Sequence, residues 1–243
     1  MKEGCCMVYE KNFVIGAEHS DYTVRLGNYQ FFYLLQNAMI EGFDNEGVGN
    51  KGLGEKSNAY WAVTKTRLEI LRKPLWNEEV IVRAISTDDS KLRVKVITEI
   101  YSLHNELLAK ACQELCILDK DTHRVRKLND TCFPVGENKD TKELEFEKFL
   151  FPDSFINRYE LTVRSQHIDM SRHVNNVEYI RMAMDTFSVD ELCKNDPTVI
   201  EVHYTGECTE GETLKCERYE RNNESYISIA KNDKKCFEMK ICF

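Results

Sequence analysis

One order of elements occurs twice along this chain, and it limits the folds available. Tyr29–Gly42 has helical periodicity, with Phe31, Leu35, Ala38 and Met39 on one face. Strands of period two follow at Tyr60–Ile70, Val80–Ser86, Lys91–Ile100 and Leu107–Leu118. The second half repeats the order. Val177, Ile180, Met184 and Phe187 mark a helix over Val177–Phe187, and strands follow at Thr198–Cys208, Leu214–Glu220, Tyr226–Ala230 and Phe237–Phe243. Within it, Thr209-Glu210-Gly211-Glu212 takes the place of Trp76-Asn77-Glu78-Glu79. A sheet with one apolar face needs a cover, and one long helix per sheet supplies it. The expected class is α+β: two tandem units, each a long helix wrapped by an antiparallel sheet. The expected division is residues 1–128, a charged connector over 129–153, and residues 154–243. Glycines 42, 47, 49, 52 and 54 read as the end of the first helix and a flexible loop. They lack the G-K-[ST] ending of a phosphate loop.

Before the second helix lies a polar run: Gln166, His167, Asp169, Ser171, Arg172, His173, Asn175 and Asn176. Asp169, Ser171 and His173 alternate, so an extended backbone aims them the same way, toward a helix N-terminus that favours negative charge. Asn175 or Asn176 can cap that helix. A polar loop with an Asx cap accounts for the same spacing. The first half, with Gly27-Asn28-Tyr29-Gln30 before its helix, shows no equivalent chemistry.

The 243 residues are 42% apolar and 30% charged, which suits a globular core. Net charge is 33 − 41 = −8, and no Lys/Arg run supplies a nucleic-acid footprint. No apolar stretch approaches the ~20 residues of a membrane span. The first twelve residues lack the apolar core of a secretory signal. None of the ten cysteines forms C-x-x-C, and no metal pattern is present. Reduced, mostly buried thiols in a cytoplasmic protein are expected.

The doubled pattern, D-M-S-R-H-V-N-N-V-E-Y over Asp169–Tyr179 and Y-T-G-E-C over Tyr204–Cys208 together resemble the acyl-ACP thioesterases, the plant fatty acyl-ACP hydrolases and their bacterial relatives. The resemblance runs from about Tyr9 to Phe243. It implies a double hotdog fold and hydrolysis of the thioester of fatty acyl-[acyl carrier protein], which releases free fatty acid and ends elongation. It implies no cofactor. The implied partner is acyl carrier protein bearing a phosphopantetheine-linked acyl chain, with no nucleic acid and no membrane. The family's Asp-x-Asn-x-His segment and Glu-Cys pair fall on Asp169, Ser171, His173, Glu207 and Cys208. Ser171 stands where the family has Asn.

Under that resemblance Glu207 activates water, His173 relays protons or orients water and the Glu207 carboxylate, and Asp169 positions the acyl carbonyl or locks its neighbours in place. Amides over 174–176 polarise the carbonyl. Cys208 follows Glu207 directly, and strand alternation turns the two to opposite faces unless a bulge intervenes. Glu207 is the expected base and Cys208 a residue lining the site. Asn175 and Asn176 are placed at the substrate. Phe31, Phe32, Leu35, Met39, Trp61 and Val63 are candidates for the acyl chain, and plain core is the other reading of them. Arg164, Arg172 and Arg181 are candidates for docking an acidic carrier. An acyl-CoA thioesterase on the same fold and a non-catalytic acyl-binding protein are the alternatives. Monomer and homodimer are both open.

Overall fold

The computed structural model describes residues 7–88, 90–134 and 144–243. Cys5, Cys6 and residues 135–143 of the charged connector (among them Glu137, Lys139, Asp140, Lys142 and Glu143) lie outside the described residues. The chain divides into two compact units. One comprises residues 1–66 and 71–145, the other residues 67–70 and 146–243.

The first unit holds β1 (Val8–Val14), α1 (Asn28–Asn45), α2 (Asn50–Ser57), most of β2 (Ala59–Ile70), β3 (Glu79–Asp88), β4 (Val94–Ser102), β5 (Leu107–Asp119) and β6 (Val125–Arg126). Its sheet runs in the order β1-β3-β4-β5-β2, with β6 on β5. α1 packs on β1, β3 and β4 and buries Phe31, Phe32, Leu35, Ala38, Met39 and Phe43. The helix extends beyond the expected Tyr29–Gly42 by one residue at the start and three at the end, so Gly42 lies inside it. Of the expected flexible glycine loop, Gly52 and Gly54 belong instead to the helix α2. A Cβ on Gly52 would lie 2.2 Å from the Gly47 carbonyl oxygen, so glycine permits a close backbone approach here.

The second unit holds β7 (Phe155–Thr162), α3 (Asn176–Met184), α4 (Val189–Lys194), β8 (Val199–Tyr204), β9 (Thr213–Arg221), β10 (Glu224–Lys231) and β11 (Lys234–Cys242). Its order, β7-β9-β10-β11-β8, reproduces the first unit's order strand for strand. The last four residues of β2 lie beside β8, where the Ile70 amide donates to the Thr198 carbonyl at 2.8 Å. α3 packs on β10 and β11. It has nine residues rather than the expected eleven. It stops before Phe187 because Ser188 opens α4 with a capping box, exchanging bonds with Glu191.

Residues 146–151 lie along the second unit without regular structure. The Glu147 amide donates to Glu201 at 2.8 Å, and its carboxylate meets Arg67 at 3.0 Å and Lys240 at 2.7 Å. Phe149 stacks on His203 with ring centroids 4.1 Å apart. These contacts cover Glu201, a carboxylate 1% exposed whose charge Arg67 balances at 2.8 Å.

Candidate active site

Asp169–His173 is a tight turn, not the extended run expected from its alternation. The Asp169 amide donates to the His173 carbonyl at 3.0 Å, and the Arg172 amide to the Asp169 carbonyl at 3.0 Å. Arg172 sits at φ +65° to close the loop. Asp169 Oδ1 accepts both the Ser171 amide at 2.8 Å and the Ser171 hydroxyl at 2.5 Å. The carboxylate therefore satisfies its own turn first.

The same turn occurs in the first unit. Asp21 Oδ1 accepts the Thr23 amide at 2.8 Å and its hydroxyl at 2.5 Å. The Asp21 amide donates to the Arg25 carbonyl at 2.9 Å, and Val24 sits at φ +58°. Asp21-Tyr22-Thr23-Val24-Arg25 is thus the structural counterpart of Asp169–His173: the turn is present in both units, the histidine only in the second. Gly27-Asn28 corresponds to Asn175-Asn176, not to the Asp, Ser and His of the polar run, since the Gly27 amide donates to the His19 carbonyl as that of Asn175 does to His167. Asp169 and Ser171 build a loop that both units share. What the second unit adds is His173, where the first has Arg25.

Glu207 and Cys208 were expected on a strand through Cys208. β8 ends at Tyr204 because the Thr205 and Gly206 amides both donate to one carbonyl, that of Cys236, at 2.9 and 3.1 Å. This bulge carries Glu207 and Cys208 off the sheet edge. The Val174 amide then donates to the Cys208 carbonyl at 2.8 Å and ties the segment to the loop. The first unit repeats this too. Leu71 and Arg72 share the Leu108 carbonyl, and the Leu26 amide donates to Pro74. Lys73 therefore matches Glu207, and Pro74 matches Cys208.

The two side chains still point apart. Glu207 is exposed and meets His173, with Oε2 3.6 Å from Nε2. That is an ion-pair distance when the imidazole is protonated, and too long for a direct hydrogen bond. Both groups are open to water, with side chains 47% and 30% exposed. Cys208 is fully buried beside Cys236 and Tyr179. The Cys236 thiol lowers the Cys208 pKa against the opposing effect of burial, and Cys236 itself is raised. The Cys236 thiol also donates to the Ile229 carbonyl at 3.2 Å.

Asn175 caps α3, its Oδ1 accepting the Val177 amide at 2.9 Å. The Asn175 amide is itself committed to the His167 carbonyl at 2.9 Å. Of the three amides expected to polarise a carbonyl, those of Val174 and Asn175 are engaged. The Asn176 N–H is the one left at the positive end of α3. Lys231 escaped the sequence reading. Its Nζ reaches the Glu207 carbonyl at 3.3 Å and Glu212 at 3.0 Å, bracing the segment that carries Glu207. A lysine at a hairpin end carries no sequence signal for that role.

Arg164, Arg172 and Arg181 are exposed, and Arg181 lies 3.6 Å from Glu178. Phe31 and Leu35 are fully buried, Phe32 and Met39 nearly so, and Val63 is half-buried. Trp61 stacks on Phe43 at 4.7 Å and donates to the Val48 carbonyl at 2.8 Å. A cleft of about 720 Å³ lies elsewhere in the first unit, lined by Ser57, Asn58, Arg126, Asp130 and Cys132, and touches none of the candidate residues. Among the described residues no cluster of three His, Cys, Asp or Glu suits a metal ion, and no helix is long and apolar enough to cross a membrane.

Two hotdog units, one of them carrying a histidine–carboxylate pair at a helix start, define a thioesterase-type architecture. Family models agree: that of the acyl-ACP thioesterase N-terminal domain matches residues 6–134, and that of the C-terminal domain matches residues 152–241. The chain belongs to the acyl-ACP thioesterase family. It is 23% identical over 190 residues to the chloroplastic oleoyl-acyl carrier protein thioesterase of Coriandrum sativum, covering 71% of this chain and 50% of that protein. It is 25% identical over 221 residues to the chloroplastic palmitoyl-acyl carrier protein thioesterase of Cuphea hookeriana, covering 83% and 52%. The chain thus spans about half the length of these curated relatives. An acyl-ACP thioesterase from Bacteroides thetaiotaomicron superposes with TM-score 0.86 at 19% identity over 98% of both chains. The 12:0-ACP thioesterase from Umbellularia californica does so with TM-score 0.83 at 16% identity, covering 97% and 96%. At these identities the two structures show the shared fold.

Proposed function

We propose that this chain hydrolyses fatty acyl-[acyl carrier protein], releasing free fatty acid in fatty acid biosynthesis. The observation that carries the reading is the placement of Glu207 against His173, on a loop whose first-unit copy has Lys73 and Arg25 at those positions. Glu207 takes a proton from water, which attacks the thioester carbonyl. The Asn176 N–H, backed by the α3 dipole, receives the developing oxyanion. The exposed Glu207 side chain closes the 3.6 Å gap to His173, which receives the proton and returns it to the departing pantetheine thiolate. Asp169 and Ser171 keep the loop in register, and Cys208 holds its own segment from inside. Arg164 and Arg172, both exposed, and Arg181 are the docking residues for an acidic carrier. Contact of the acyl chain with Phe31, Phe32, Leu35, Met39, Trp61 and Val63 completes the reading.

A panel of acyl chain lengths, each on acyl carrier protein and on CoA, tests this directly. Faster turnover on the carrier at one or a few chain lengths is expected. Equal or better turnover on CoA makes the chain an acyl-CoA thioesterase. No hydrolysis of either series leaves an acyl-binding protein.

A further inference from the structure

The two copies of the loop cluster share their backbone hydrogen bonds and differ in their surface. The Leu75 amide donates to Glu78 at 2.8 Å, as the Thr209 amide does to Glu212. The Asn77 amide donates to Ile15, as Gly211 does to Val163. Through these matched bonds Leu71, Leu75 and Trp76 correspond to Thr205, Thr209 and Glu210. Val24 corresponds to Arg172, and Tyr22 to Met170. In the first unit the exposures are 67% for Leu71, 55% for Leu75, 49% for Trp76, 55% for Val24 and 47% for Tyr22. Val24, Leu75 and Trp76 lie side by side, with Tyr22 in the same turn as Val24: the Trp76 amide donates to the Val24 carbonyl at 3.0 Å, and Arg25 bridges to Leu75.

The second copy is an internal control. It makes the same turns with polar residues at four of these five places, so the fold does not call for apolar ones. Val24 sharpens the point. A β-branched residue at φ +58° is strained, and over half of it is in water, so the isolated chain gains little from it. A contiguous exposed patch of Trp, Tyr and Leu marks an interaction surface.

The charges around the patch choose among partners. Arg72 bridges Glu78 at 2.7 Å and Glu106 at 3.3 Å, and Asp21 and Arg25 lie on the same loop. The rim thus carries both signs. An acidic carrier or an anionic lipid surface calls for a positive rim. A rim of mixed sign around an apolar centre complements itself, as an isologous contact requires. We propose that the Tyr22–Val24 and Leu71–Trp76 surface is where two copies of this chain associate.

The test swaps the second unit's residues into the first. Leu75→Thr with Trp76→Glu keeps the backbone bonds that Thr209 and Glu210 already make. In sedimentation equilibrium the wild type is expected at twice the 28.4-kDa chain mass and the double variant at the single mass, with circular dichroism unchanged. If the double variant misfolds, Val24→Arg, at a conformation Arg172 already adopts, must by itself shift the equilibrium toward monomer. A wild type that stays at the single mass across a concentration series overturns the proposal, as does a folded variant that keeps the doubled mass. So does wild-type binding to phosphatidylglycerol vesicles that the swap abolishes, or a raised KM for acyl carrier protein without a change in mass.

Discussion

At position 171 the serine hydroxyl does the work the loop needs: with its own amide it fills one oxygen of Asp169, as Thr23 does for Asp21. The departure from the family asparagine therefore leaves the turn intact. Cys208 is the residue whose role the structure narrows most. With its thiol fully buried and its carbonyl holding the Val174 amide, its backbone matters more than its sulfur. Cys208→Ala is expected to keep kcat within about tenfold of wild type, since the proposed mechanism routes no proton through the thiol. Loss of activity to background, or a trapped acyl-cysteine, would make it the nucleophile. Asn175→Ala should lower stability by about 1 kcal/mol, measured by urea unfolding, because the Val177 amide loses its cap. An unchanged midpoint would mean that water caps α3 equally well.

At the scale of elements, the strands were legible because alternation and burial coincide, as along β4 and β11. The ends of elements were not. The α3–α4 break was signalled by Ser188-Val189-Asp190-Glu191, a capping-box pattern overlooked because Phe187 continues the apolar face of α3. The break is held from the sheet. Arg218 donates to the Thr186 carbonyl at 2.9 Å, meets Glu191 at 2.6 Å, and lies 4.0 Å over the Phe187 ring. Arg218 holds the Glu191 carboxyl at about 2, below the usual glutamate value of 4.5. The depressed value means that the contribution is complete above pH 4.5 and is lost as pH falls toward 2. The melting temperature of wild type should exceed that of Glu191→Gln at neutral pH, and the gap should close near pH 2. A gap that persists unchanged at low pH would show that the carboxylate charge contributes nothing. The site was legible only as far as its residue types. Glu207 and His173 were identifiable, but the bulge at Thr205-Gly206 that frees Glu207 from the sheet depends on a carbonyl 30 residues away, at Cys236.

For the molecule as a whole, duplication is the organising fact. Both units keep the strand order, the Asp-x-Ser/Thr turn and the bulge, and the proposed chemistry uses the positions where they differ. His173 and Glu207 replace Arg25 and Lys73 on the same scaffold, so one catalytic centre per chain is expected. With a net charge of −8, the proposed recognition of an acidic carrier has to rest on local arginines, and on that proposal KM for acyl carrier protein should rise with salt while kcat holds. A salt-independent KM would remove Arg164, Arg172 and Arg181 from the docking account. In the proposed reaction a carboxylate-activated water, not a thiolate, attacks the thioester. Single-turnover hydrolysis of acyl carrier protein substrate by Glu207→Gln and Cys208→Ala side by side separates the two. Glu207→Gln is expected to lose about 10²–10⁴-fold in rate while Cys208→Ala stays near wild type. The opposite ranking, or a Glu207→Gln enzyme as fast as wild type, would contradict it.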